Sequence, residues 1–418
     1  VLTHKSRWRK VTRVMRRHHR GMLAVARGAI TPLRLTPEHE IFVRPASRRI
    51  DRAHDYTEAR EWRPISTVTN ASKMFLPLPP VEACSQVFDL AEVRPLGASR
   101  AEIYASVLSA KASGQTYDEI RALLGVPRKT AQQWVVGSRI PEGTVRAEIA
   151  HVRFAGSYRR LNRYIAVDPC LGRLVGYFVS DGCAHVGANA GAGRARQIAF
   201  YFGLHERTYA QDAAALLRKC FGLTAKIIKR GKVWIVRATD AIIAQWFRDH
   251  CRHGVMRGEK RVPDEVLNAG PNVLRQLVIG MWRGDGTCPE ATRCASYVTV
   301  SPVLAWQLQI ALARVGIAAA RHWTDTTTNT ATLASGRKIH SRRGSWIVRT
   351  SGENSARLRR MLGESAPRDL KSVVSARTMI CESGIEAGIR GPTLTPYDGQ
   401  VFNLSVEEDE SYVANGIA

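Results

Sequence analysis

Two aspartates, Asp181 and Asp285, each close an apolar stretch of the same design and each precede a glycine. The stretches are Leu174-Val-Gly-Tyr-Phe-Val-Ser-Asp181-Gly182 and Val278-Ile-Gly-Met-Trp-Arg-Gly-Asp285-Gly286. Read as helices, they carry small residues at Gly176, Ser180, Gly280 and Gly284, which would let two helices approach closely and bring their ends together. Gly182 and Gly286 then suit left-handed helix exits, with the aspartates in the last turns. A helix C-terminus is partially negative, so two carboxylates gathered there repel unless a cation sits between them. The chemistry this pattern predicts is divalent-metal binding. One copy alone would carry little, because Asp-Gly is also a common way to end a buried helix or open a turn.

The elements that must position these aspartates are themselves duplicated. The motifs stand 104 residues apart (181 to 285). After the first come an alternating strand (Ile198 to Phe202), a helix from about Glu206 to Phe221-Gly222, a strand from Thr224 to Lys229, a turn at Arg230-Gly231-Lys232, and a strand from Trp234 to Thr239. After the second come a strand from Tyr297 to Val300, a helix from Pro302 to Val315-Gly316, a strand near Ile317 to His322, a longer loop, and a strand from Trp346 to Ser351. Both final strands begin Trp-Ile-Val-Arg, at an offset of 112 residues because the second loop, Thr324 to Gly344, is longer. A repeat of this kind is what internal duplication leaves behind.

Paired apolar segments ending in Asp-Gly at this spacing resemble the LAGLIDADG (dodecapeptide) homing endonucleases, of the kind embedded in inteins, over about residues 170–375. The resemblance implies that the motif helices form the interface between pseudo-symmetric halves, and that each half offers a curved antiparallel sheet to DNA. By position it makes Asp181 and Asp285 the metal-binding catalytic acids, each serving one strand's phosphodiester. Carboxylates near divalent ions suit in-line phosphodiester hydrolysis. The expected ion is Mg2+, a hard cation that prefers oxygen ligands. The family also places a basic residue in a Lys-x-Ile-Pro segment shortly before the second motif, and Lys260-Arg-Val-Pro263 fits it. Lys260 would polarise water or stabilise phosphate charge; as one of only 12 lysines it stands out, though a solvated surface lysine reads equally well. Lys371 and Lys338 are candidates for its counterpart in the second half.

Composition points to a polyanionic partner. The chain has 62 Lys plus Arg against 36 Asp plus Glu, a net charge of +26 and a pI near 10.4, so double-stranded DNA is the natural inference. The first 37 residues contain no acid and include Arg16-Arg-His-His-Arg20. Lys226, Lys229, Arg237 and Arg349 alternate with apolar residues, which predicts a charged sheet face opposite the core. An ordinary solvated face would look similar. Eight cysteines occur without a Cys-x-x-Cys pair, so no zinc site or disulfide framework is indicated; His250-Cys251-Arg-His253 and Cys288 with Cys294 come nearest. With no membrane-length apolar stretch and no signal peptide, the expected location is cytoplasmic.

Upstream of the first motif, Thr116-Tyr-Asp-Glu-Ile-Arg-Ala-Leu-Leu-Gly125-Val-Pro-Arg-Lys-Thr130-Ala-Gln-Gln-Trp-Val135 has the spacing of a helix-turn-helix, with Ala131 and Trp134 inward. It resembles DNA-binding modules of that class, whose second helix reads the major groove. Arg128, Lys129, Gln132 and Gln133 would then face DNA. A plain helical hairpin is the alternative.

The ends resemble the Hint fold of protein-splicing elements. Leu33-Arg-Leu-Thr36-Pro-Glu-His39-Glu-Ile-Phe-Val43 looks like the intein Thr-x-x-His segment, in which the Thr and His side chains hydrogen-bond and assist the first acyl shift. Residues 397–418 resemble the block before the downstream junction, with Glu410 where a His is often found. A nucleophilic Cys or Ser upstream and a terminal His-Asn are not in the chain, which begins at Val1 and stops at Ala418. The expectation is an element that does not splice as given, either an intein trimmed at both ends or a nuclease keeping a remnant scaffold.

The resulting expectation is an α+β chain. It has a split, mostly β Hint domain (1–80 and 376–418), a helical segment with a helix-turn-helix (81–165), and two LAGLIDADG units of αββαββα type (166–270 and 271–375). It would act as a monomeric, pseudo-two-fold, metal-dependent DNA endonuclease, free of membranes. The competing readings are a self-processing Hint element whose inactive nuclease only binds DNA, and a helix-turn-helix regulator.

Overall fold

The computed structural model describes residues 1–28, 32–45, 60–93, 99–141, 144–154, 159–186, 196–252, 259–289, 294–327, 330–332, 338–340, 343–364, 378–381, 383–414 and 417. It is a mixed α/β structure that divides into two compact units, Cys84–Val266 and Val1–Ala83 with Leu267–Ala418. Among the described residues no helix is long and apolar enough to cross a membrane.

In the unit Cys84–Val266 the strand Val87–Asp89 is followed by a three-helix bundle, Ser99–Ala112, Tyr117–Leu124 and Arg128–Val135. Thr116 and Glu119 form a reciprocal capping box at the start of the second helix, and Gly125 ends it in the left-handed conformation at φ 66°. Val107, Ile120, Val126, Ala131 and Trp134 make the bundle's core. The two helices expected from the sequence thus have a third helix in front of them, whose weak amphipathic pattern hides it in the sequence. Among the described residues the rest of the segment holds one short 3-10 turn, Leu90–Glu92, and otherwise strands. Val145–Ala147, His151–Phe154 and Leu161–Asn162 form a three-stranded sheet, and Tyr164–Ala166 pairs with Val87–Asp89. Strands of two to four residues offer too few positions for a period to register.

The first repeat follows. The motif helix Pro169–Asp181 starts at Asp168, whose carboxylate accepts from the Leu171 N–H at 2.9 Å. A four-stranded antiparallel sheet orders Gly182–Val186, Arg196–Gly203, Val233–Thr239 and Lys226–Arg230. Helices Arg207–Phe221 and Ala241–Cys251 complete the unit. Its core is aromatic: Phe178 stacks on Phe247 at 4.1 Å between ring centres, and Trp246 meets Phe221 edge-on at 5.4 Å.

The second unit holds the second repeat in the same order. The motif helix Pro271–Asp285 is followed by a sheet ordered Gly286–Thr287, Cys294–Thr299, Ser345–Ser351 and Ala320–Thr324, with helices Pro302–Arg314 and Gly352–Leu362. This unit also contains a sheet to which both ends of the chain contribute. Val11–Gly28 runs antiparallel to Gly384–Val406 from Val11 opposite Val406 to Gly28 opposite Ile389, and the sheet continues through Lys73–Pro77, Glu40–Arg44 and Glu61–Pro64. Ala24, Ala26, Ile41, Val43, Met74, Ile385 and Ala387 are buried in its core, which Ala313 of the second repeat joins.

Asp409 pins the first residues of the chain to the last. Its buried carboxylate accepts from the Thr3 hydroxyl at 2.6 Å, pairs with Lys5 at 3.3 Å, and takes two bonds from Arg7. The Arg7 guanidinium holds the Asp409 carboxyl far below the usual carboxylate range. A depressed folded-state pKa contributes stability above the unfolded value, near 3.9, that is lost as pH falls below it. Acid titration followed by circular dichroism is therefore expected to show stability declining below about pH 4, with Asp409→Asn removing that part of the dependence.

Candidate functional site

Both motif helices end in the same way, and not in the way the glycines suggest. Gly182 leaves its helix at φ −83°, ψ 152°, and Gly286 at φ −83°, ψ 150°. Both are extended rather than left-handed, because the chain passes directly from the helix into a strand. The glycines are needed for close approach instead. A Cβ at Gly182 would lie 2.5 Å from Phe178 Cδ2 and 2.6 Å from the Phe178 carbonyl oxygen. One at Gly286 would strike the Trp282 indole and lie 2.6 Å from the Trp282 carbonyl oxygen. The glycine N–H groups donate to those same carbonyls, Phe178 O and Trp282 O.

At the first helix end, Asp181 is half-buried. Burial pushes its carboxyl above the usual range, Lys260 pulls it back, and Glu206 pushes it further up. Lys260 donates from Nζ to Ser180 O at 2.7 Å and to Gly182 O at 3.2 Å. It therefore caps the negative end of the helix beside the aspartate. Its own segment is fixed by the Arg261 N–H donating to Cys251 O at 3.1 Å and by the fully buried Val262. The sequence thus brought Asp181 and Lys260 together; Glu206, contributed by the turn after the strand Arg196–Gly203, carried no sequence signal. Asp285 sits exposed at the end of the second motif helix, in the other unit. Lys338 opens the strand Lys338–His340, and Lys371 lies outside the described residues.

The oxygen donors suit a hard cation. Among the described residues no cluster of three or more His, Cys, Asp and Glu side chains forms; the two motif aspartates offer carboxylate oxygens, the donor type that hard divalent cations take. His250 is a packed ring, edge-on to Phe88 at 4.8 Å and tilted on Trp246 at 5.0 Å, with burial holding it toward the neutral form. His253 lies outside the described residues.

The sheet faces follow from register. Directly opposed residues share a face. In the first repeat Lys226 opposes Arg237 and Arg237 opposes Ala199, while Arg230 opposes Val233 and Ile228 opposes Ile235, which opposes Tyr201. Lys226, Arg230, Arg237 and Tyr201 thus share the outer face and are all exposed. Lys229 does not join them. It opposes Trp234 on the other side of the sheet and stands over that indole at 5.9 Å. Lys226 and Lys229 are three residues apart, an odd number, so strand alternation alone separates them. Counting parity would have found Arg230 and rejected Lys229. In the second repeat Arg349 takes the place of Arg237, opposing Ala320 and Ser296, and lines a shallow depression with His322, Ile347 and Cys294. The neighbouring strand carries Ala320, opposite Arg349, and Thr324, opposite Ser345, where the first repeat has Lys226 and Arg230. The second face is less basic.

In the three-helix bundle Arg128 and Lys129 are exposed and Gln132 and Gln133 half-exposed, all on the third helix, while Arg128 pairs with Asp118 at 3.1 Å. Thr36 and His39 share a turn of the sheet formed by the chain ends, where the His39 N–H donates to Thr36 O at 3.0 Å. Their side chains do not pair: the Thr36 hydroxyl bonds the Glu38 carboxylate, and the His39 ring lies 6.5 Å from that of Tyr412. Two intervening residues in a tight turn point the hydroxyl at the nearer acceptor.

No protein-family profile matches the chain. Over 99% of its length it is 25% identical to the ATP-dependent DNA helicase Hel308 of Thermococcus kodakarensis, in an alignment covering 33% of that protein. It is 24% identical over 99% of its length to an uncharacterized protein of Methanocaldococcus jannaschii, covering 46% of it. A stretch of 49% of the chain is 26% identical to a DNA polymerase of Thermococcus kodakarensis, of which it covers 11%. The chain thus spans between a third and a half of the first two relatives. Among solved structures it is similar to I-DmoI in complex with DNA and Mn, at 11% identity over 48% of this chain and 99% of that one with a TM-score of 0.34. It is also similar to the N-terminal LAGLIDADG domain of DUF199/WhiA, at 10% identity over 49% and 85% with a TM-score of 0.30.

Proposed function

We propose that the chain is a site-specific double-strand DNA endonuclease of the LAGLIDADG homing type, carried within a protein-splicing element. The observation that supports this reading best is the equivalence of the two motif-helix ends, which carry an aspartate, an extended glycine and a following antiparallel sheet in the same geometry. Each aspartate serves one strand of the duplex. A divalent cation, Mg2+ by the character of the oxygen donors, supplies charge stabilisation for attacking and leaving oxygens when bound there. Lys260 neutralises the helix end and holds the Asp181 carboxyl toward its charged form. The outer sheet faces, through Lys226, Arg230, Arg237 and Arg349, hold phosphates and bases, and the bundle's third helix adds Arg128, Lys129, Gln132 and Gln133.

Two observations support the splicing part of the proposal. Both chain ends build one sheet, and alignments fall within proteins named for different activities, a helicase and a DNA polymerase, covering only part of each. That is the distribution an inserted element produces. Expression with its flanking host segments should yield a ligated host protein; persistence of the unspliced precursor alone would remove this part.

Metal dependence tests the nuclease part. Chelation with EDTA should stop cutting and added Mg2+ restore it; cutting that continues under chelation would refute a metal-held mechanism. The Asp181–Lys260 pair has its own test. Asp181 acts as the carboxylate, so the acid limb of the pH–rate profile follows its titration. Removing the cation in Lys260→Met raises the Asp181 pKa further, so the limb should move to higher pH. An unmoved limb would show that Lys260 does not act through Asp181.

The sheet register gives a further expectation. Arg237→Ala and Arg349→Ala should each lower the slope of log affinity against log salt by about one, whereas Lys229→Ala should leave it unchanged. Equal effects of all three would overturn the face assignment.

A further inference from the structure

The antiparallel pair Val11–Gly28 and Gly384–Val406 is not sheet core along most of its length. From Thr12 to Met22 on one strand no residue is buried, and the same holds from Arg390 to Ser405 on the other. Both faces are open to water, a condition in which a two-stranded ribbon is marginal by itself. What holds it is anchorage at both ends. At one end Leu23, Ala24, Val25 and Ala26 enter the core. At the other, the Glu407 N–H donates to Lys10 O at 3.1 Å, Asp409 gathers Thr3 and Arg7, and the neighbouring His4 ring packs edge-on against Phe42 at 5.3 Å.

One face of this ribbon mixes charge with exposed apolar groups. Register places Val14 opposite Leu404, Arg16 opposite Phe402, His18 opposite Gln400 and Arg20 opposite Asp398. Val14 is 64% exposed and Phe402 62% exposed, contrary to what folding alone favours. Asp398 is the only acid among these eight residues, and its pairs with His18 at 2.9 Å and Arg20 at 3.8 Å are solvent-exposed contacts of little strength. A basic, aromatic-bearing surface on a ribbon stiffened from both ends fits a polyanion whose groove presents apolar thymine methyls beside the phosphates, namely duplex DNA.

We propose that this ribbon face, through Arg16, Arg20 and Phe402, is a further DNA-binding surface, contacting the duplex in addition to the two sheets of the repeats. The proposal rests on the reading of the chain as a DNA-binding nuclease and adds a contact which that reading does not require.

The test measures affinity of the full chain for a duplex of about 40 base pairs carrying its site, with EDTA present so that nothing is cut, across a salt series. Arg16→Ala with Arg20→Ala should lower the slope of log affinity against log salt by about two and weaken binding about tenfold or more at physiological salt. Arg16→Lys with Arg20→Lys should restore the slope, and Arg13→Ala with Arg17→Ala, on the opposite face, should change it less. A wild-type slope in the first variant overturns the proposal. So does an equal loss from the Arg13 and Arg17 pair, which would reflect net charge only, or a loss of binding to anionic vesicles with DNA binding intact. The nuclease reading fails separately, if the wild type binds DNA with this ribbon dependence and yet does not cut with Mg2+.

Discussion

Asp181→Asn and Asp285→Asn are each expected to lower double-strand cleavage by about 10³-fold or more while leaving DNA affinity nearly unchanged. Asn keeps the shape of the side chain and removes the charge that would hold the cation. Loss of metal-derived charge stabilisation, several kcal/mol, corresponds to a rate loss of that order. Affinity is expected to rest on other groups, the arginines and lysines exposed on the outer faces. Asp181→Asn should also relieve the cost of holding a half-buried carboxylate at a helix C-terminus, so its thermal stability should equal or exceed that of the wild type. Side-by-side gel cleavage and anisotropy measurements check both halves. A variant that binds poorly and cuts in proportion would make these aspartates structural.

Trp134→Ala is the second large effect. Trp134 is 7% exposed, meets Tyr104 edge-on at 5.7 Å, and closes a core that otherwise contains Val107, Ile120, Val126 and Ala131. Truncating a buried tryptophan costs about 3–5 kcal/mol. A bundle this small has little reserve, so the loss should unfold residues 99–135 locally. Hydrogen exchange should show that segment alone losing protection. If the third helix contacts DNA, affinity should fall while cleavage at saturating protein stays near the wild-type rate. Unchanged affinity in a locally unfolded variant would return the bundle to the role of a linker.

The duplication was legible because it rests on sequence identity at structurally demanding places. The Trp-Ile-Val-Arg strands pair with their neighbours in the same pattern in both repeats, and both motif helices end at an Asp-Gly. What the glycines do was not legible. A left-handed exit and a close approach to the preceding turn both demand glycine, and only the path of the following strand decides between them. Lys229 was misplaced for a simpler reason, since charge alternating with apolar residues reads as one face unless parity is counted from a fixed partner. Asp409, with Thr3 and Arg7, and Glu206 beside Asp181 were invisible because each is a tertiary contact, the first between residues about four hundred positions apart. The short strands between 145 and 166 were missed because they are held by pairing, not by an apolar period.

We propose that this chain cuts both strands of a specific duplex through its two motif aspartates. The most direct measurement incubates the wild-type chain and Mg2+ with a supercoiled plasmid carrying the joined coding sequence that flanks its reading frame. The wild type should give a single linear product, and Asp181→Asn and Asp285→Asn should lose it. A wild-type chain that binds this plasmid and leaves it supercoiled would contradict it.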